Sequence, residues 1–177
     1  MSIDRARTLR GALAGAGAAA IWAAQSPVDK AVFGSSFDDI ELLGKAFTRS
    51  RAWPAVGLLL HVQNGALFGA VYANVAPRLP LPSWARGPFA ALSEHVATWP
   101  LTLLVDVLHP ARKEMPKLAT SPRALAQATW RHLLFGAVLG ELERRLNAEP
   151  VVEIPGYEHV ISSNGHGNLE HAASSLG

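Results

Sequence analysis

The sequence predicts an all-α fold set in a membrane: an integral membrane four-helix bundle with a short interfacial helix and a disordered C-terminal tail. Three observations carry that expectation. The stretch 52–76 holds no Asp, Glu, Lys or Arg, which is about seven turns of helix and enough to cross a bilayer core of about 30 Å. Charged residues make up only 17% of the chain against 49% hydrophobic, below the roughly 25% charge of soluble domains. Small residues recur four apart in three segments, a spacing that suits close helix packing in lipid. A water-soluble bundle is the competing class, but its helices should each carry a charged face, and 52–76 carries none.

The first span is placed at 11–28, uncharged and preceded by Arg5, Arg7 and Arg10. The basic start and Ala-rich core also fit a signal peptide, although Gln25-Ser26-Pro27 offers no clean small-x-small cleavage site. Gly11 and Gly15 lie on one face of it. Between the first two spans, 36–47 reads as a surface helix opened by a Ser36/Asp39 capping box. Phe37, Ile40, Leu43 and Phe47 fall on one face and Asp38, Glu41 and Lys45 on the other, a pattern for a helix lying in the headgroup region or packed on the bundle end.

The second span is 52–76, with Gly65 and Gly69 four apart. The loop 77–87 contains Pro77, Pro80 and Pro82 and should be extended. The third span, 88–108, is interrupted by Glu94, His95 and Asp106; the fourth, 124–140, contains Arg131 and His132 with Gly136 and Gly140. These two are credible as interior helices of a bundle that shelters their charges. The transmembrane domain thus occupies 1–146, and 147–177 is a polar flexible tail whose His159, His166 and His171 match no compact metal motif.

Several function classes are excluded. The chain has no cysteine, hence no disulfide or thiolate metal site. A formal charge of +2 without a basic cluster interleaved with aromatics argues against nucleic acid. No paired-carboxylate, serine-elbow or metalloprotease motif occurs, so no catalytic residue is assigned and a non-enzymatic protein is expected.

Four spans place both termini on one side. That side collects Arg5, Arg7, Arg10, Arg78, Arg86, Arg144 and Arg145, and the other Lys30, Lys45, Arg49, Arg51, Arg112, Lys113, Lys117 and Arg123. The balance leaves the orientation open, and the three Arg before the first span favour cytoplasmic termini.

Polar residues inside the spans are the candidate site. Counting helical rise, Asp106 and Arg131 share the half away from the termini, where lone charges are costly, and an Asp106–Arg131 ion pair across spans three and four is expected. Asn64, Glu94 and His95 occupy the near half, with His61 close to the midplane. Pro100 should kink the third span, with His95 and Asp106 on one face as a candidate proton or ion path. His61, His95 and His132 come from three helices. The matching depths of His61 and His132 would suit bis-His haem, although hydrogen-bonded core histidines are the simpler reading.

Three blocks then resemble a known family: His61, Phe68 and Tyr72 in HVQNGALFGAVY; His95-x-x-x-Trp99-Pro100-Leu101; and Trp130-Arg131-His132-Leu133 followed by Glu141, Arg144 and Arg145. Together they resemble the YagU-like family of small bacterial inner-membrane proteins, over roughly 11–146. The resemblance implies an integral helical membrane protein without an established catalytic mechanism, and points to His61, His95, His132 and Glu141. The expected function is a proton-responsive or proton-conducting membrane protein, acting as a homo-oligomer because four helices leave little room for a path. The alternative is an accessory subunit docked on a larger membrane complex.

Overall fold

The computed structural model describes residues 4–148, and the described residues are all-helical without a strand. Six α-helices follow in order: α1 Arg5–Phe33, α2 Asp39–Phe47, α3 Trp53–Val75, α4 Ser83–Thr98, α5 Thr102–Leu108 and α6 Pro122–Leu146. Short 3₁₀ turns occupy Ala76–Arg78 and Trp99–Leu101. The polar tail expected from 147, with its three histidines, lies outside the described residues beyond Ala148.

Four boundaries differ from expectation for physical reasons. Helix α1 does not stop at 28. It runs through Pro27 and ends on Gly34, whose φ of 58° is the left-handed conformation that glycine adopts without strain. Helix α2 is capped by Asp38, not by the expected Ser36 box. The Asp38 carboxylate accepts from the N–H groups of Ile40 (2.8 Å) and Glu41 (3.2 Å), while Phe37 is drawn into the core and holds the preceding residues extended. The third expected span is two helices, because Pro100 has no N–H to offer Val96 and the chain tightens into a 3₁₀ turn. The proline-rich loop is also shorter than expected, since α4 begins at Ser83 and contains Pro88.

The four long helices pack in the order α3–α1–α6–α4, with α2 laid against α3. Glycines set the close approaches. A Cβ on Gly11 would fall 2.5 Å from the Gly69 carbonyl oxygen, and one on Gly15 would fall 2.8 Å from the Gly65 carbonyl carbon. Gly136 meets Gly87 of α4 in the same way, with Gly140 beside them, and Gly44 of α2 is packed against Gly57 of α3. The core between the long helices is mostly small: Ala14, Ala18, Ala19 and Ala91, closed by Trp22, Tyr72, Phe135 and Leu139.

The large apolar side chains point the other way. Leu13 is 66% exposed, Leu59 67%, Leu67 59% and Val71 65%. Among the described helices, one is long and apolar enough to cross a membrane: Trp53–Arg78, with a mean hydropathy of 1.3 over a window of which only 28% is buried.

Candidate functional site

Because α3 and α4 sit at opposite ends of the helix row, they flank a gap with no extended contact between them. The gap leads into a cleft of about 330 Å³ whose floor is Trp22 of α1 and His132 and Phe135 of α6. His61, Asn64 and Phe68 line it from α3, and Glu94, His95 and Thr98 from α4. At one end it is closed by Phe37, Asp39 and Leu42, with Trp99, Thr102 and Val105 opposite.

The histidines form one stacked series with a tryptophan inside it. The Trp22 ring lies edge-on to His61 at 5.1 Å and to His132 at 4.8 Å, and His132 stacks on His95 at 4.4 Å. Each ring is fixed by a hydrogen bond. His61 Nε2 lies 3.2 Å from the Ala19 carbonyl and His95 Nε2 lies 3.0 Å from Thr129 Oγ1. His132 faces acceptors at both nitrogens: the Ala128 carbonyl is 2.7 Å from Nδ1 and Glu94 Oε2 is 3.1 Å from Nε2. His61 and His132 do not face one another directly, since the Trp22 ring packs edge-on against both. Among the described residues, no group of three or more His, Asp or Glu side chains is arranged to hold a metal ion.

Behind this cleft lies an ion cluster that sequence reasoning missed. Arg131 is fully buried and does not pair with Asp106. Its Nε and Nη2 donate to the two oxygens of Asp29 at 2.6 and 2.7 Å, and its Nη1 donates to Asp39 Oδ2 at 2.6 Å. Ser26 and Gln127 complete the set: Arg131 Nη2 donates to Ser26 Oγ at 3.1 Å and Gln127 Nε2 to Asp29 Oδ1 at 2.6 Å. Trp22 Nε1 donates to Asp39 Oδ2 at 3.2 Å, which ties the cluster to the histidine series. Asp106 instead accepts from the N–H groups of Leu118 (2.9 Å) and Ala119 (3.0 Å), because the 3₁₀ turn at Pro100 re-aims α5 toward the 109–121 loop.

Comparison with protein-family models, with curated proteins and with solved structures finds no match for this chain.

Glu141 also lies elsewhere. It sits on the exposed end of α6, where Arg144 and Arg145 grip its carboxylate at 2.8 and 2.5 Å and hold its pKa down to about 2. The half-turn neighbour Glu143 is the buried one. It accepts from Arg7 Nη2 at 2.6 Å and from Asn147 at 3.1 Å, and Arg7 also donates to the Ala73 carbonyl. That joint ties α1, α3 and α6 at the end opposite the cleft's loops. The missed residues had one signal each. Asp29 stood one residue past the expected end of the first span, and Asp39 stood in the expected capping box of the surface helix.

Proposed function

We propose that the chain is a multi-pass protein of the bacterial inner membrane whose cleft takes up and releases protons. The membrane part is supported by the inverted packing, with Gly and Ala between the helices and Leu, Val and Phe outside. In water each large apolar side chain left exposed forgoes about 1.5–3 kcal/mol of burial. In a bilayer the same side chains meet acyl chains, and glycine-lined contacts are how helices associate there. Helices α1, α3 and α6 and the combined α4–α5 segment serve as the four spans, and the resemblance to the YagU-like family belongs to the same proposal.

One observation carries the proton reading: His132 lies between two acceptors. A neutral imidazole donates from one nitrogen only. The geometry at His132 is therefore satisfied by one proton more than a neutral ring and a carboxylate together carry in the Glu94–His132 pair. The groups around the pair are Asp39 on α2, His61 on α3, His95 on α4 and, behind them, Asp29 on α1 with Arg131. Carboxylates outnumber fixed cations in this set.

The test is proton flux into proteoliposomes under an imposed pH gradient. Wild-type protein should acidify the lumen, and Glu94→Gln and His132→Gln should each abolish the signal. Wild-type flux from both variants would end the proposal.

A second reading has its own support. Asn64 is exposed at the lip of the cleft, beside exposed Gln63, on a helix without a charged residue. Unpaired amides at that depth are costly in lipid, so a second copy or a subunit of a larger membrane complex would close the gap between α3 and α4. Light scattering of the detergent-solubilised protein and co-purification separate these two partners.

A further inference from the structure

We infer that the cleft is a binding site for a small lipophilic organic cation, an arylalkylammonium or quaternary ammonium. Its lining holds two carboxylates, Asp39 and Glu94, and no Lys or Arg, and a cation beside Glu94 takes the place of the proton that the Glu94–His132 pair otherwise holds. The buried guanidinium does not cancel this, because Arg131 is shared between two carboxylates, Asp29 and Asp39, and cannot neutralise both. On Asp39, Trp22 and Arg131 both donate to Oδ2, which leaves Oδ1 to the cavity among the described residues. Glu94 meets His132 through Oε2 and keeps 41% of its side chain exposed at the open edge.

The walls supply the second half of the recognition. Trp22, Trp99, Phe68 and Phe135 line the same space, and aromatic faces attract a cation within about 6 Å of the ring centroid. An anion would meet two carboxylates. A neutral apolar molecule would strip them of water and return nothing for it. A cavity of 330 Å³ lies at the lower end of small-molecule sites, about 300–1,000 Å³, which suits a ligand of one or two rings and not a phospholipid. The inference rests on the membrane reading for the route of access, since the gap between α3 and α4 opens sideways, toward the acyl chains of a surrounding bilayer.

The experiment titrates purified full-length protein in mild detergent with three probes by calorimetry, subtracting detergent-only heats. The probes are benzyltrimethylammonium, its neutral isostere neopentylbenzene, and phenylmethanesulfonate. The cation should bind at least about ten-fold more tightly than either of the others. Glu94→Gln should lose about ten-fold in cation affinity, and Glu94→Asp should retain most of it. Equal affinity for the neutral isostere, preference for the sulfonate, or binding of none of the three overturns the site. If Glu94→Gln fails to fold, the three-probe comparison on wild-type protein still decides. Alkaline carbonate extraction of membranes, run in parallel, tests the other reading. Release into the soluble fraction with cation binding intact would refute the bilayer and not the site.

Discussion

Arg131 of α6 and Asp29 of α1 form a two-pronged ion pair with both side chains fully buried, Nε to Oδ2 at 2.6 Å and Nη2 to Oδ1 at 2.7 Å. Removing one partner of such a pair leaves an uncompensated buried charge, at a cost of about 3–5 kcal/mol. Asp29→Ala should therefore lower the melting temperature in detergent severely. Asp106→Asn, which weakens acceptors for two loop N–H groups, should cost only about 1–2 kcal/mol. Equal losses from the two variants would contradict this assignment of Arg131's partner.

The glycine contacts make a graded prediction. A Cβ at Gly15 meets α3 backbone, which cannot move aside, whereas one at Gly17 meets only the tip of Leu142 at 3.3 Å. Gly15→Ala should destabilise by about 1–3 kcal/mol. Gly17→Ala should be neutral or stabilise by about 0.5–1 kcal/mol through helix propensity. Thermal melts by circular dichroism check both.

The helical class and the close-packing glycines were legible because both depend on local composition and four-residue spacing. The partner of Arg131 was not. Its burial followed from its place in an apolar helix, but Asp29 lay past a proline that usually ends a helix, and Asp39 read as part of a surface cap. The third span misled for a related reason. The sequence predicts a kink at Pro100, but counting faces across it assumes one continuous helix, and the 3₁₀ turn there turns Asp106 away from the face it would share with His95. Glu141 and Glu143 are two residues apart on opposite sides of α6, and sequence pattern could not tell which one faced Arg7. His61, Asn64, Glu94, His95 and His132, singled out as polar residues in apolar segments, line one cleft, although the depth count sets His132 apart from Glu94 and His95.

Acid should loosen α2. Burial alone would raise the Asp38 carboxyl, but the Lys30 ammonium and the N–H groups of Glu41 and Ile40 outweigh it and hold the group below its ordinary value. A carboxyl lowered on folding contributes stability that is complete above its unfolded value of about 3.9 and is lost as pH falls through the folded value. The Asp38 contribution to melting temperature, read as the difference between wild type and Asp38→Asn, should hold from pH 7 to about pH 5 and then decline. Asp38→Asn keeps a capping oxygen and should reduce that acid decline, while Asp38→Ala should cost about 1 kcal/mol at neutral pH as well.

Trp22 reports on the histidine series because its ring touches both His61 and His132. Acidification should quench a portion of the tryptophan emission, and His132→Gln should remove most of that pH-dependent portion. A pH response that survives in the His132→Gln and Trp22→Phe variants alike would place the proton elsewhere.

The absence of native cysteine permits the most direct test of the bilayer reading. Single cysteines at Leu13, Leu67 and Leu133 replace side chains that the structure leaves open, with Arg78 and Arg112 as loop controls. In intact membranes exposed on both sides, a membrane-impermeant maleimide should label the loop positions and leave the three leucine positions unlabelled until detergent or SDS is added. Labelling of Leu13, Leu67 and Leu133 at the loop rate, before any detergent, would show that water and not lipid covers that surface.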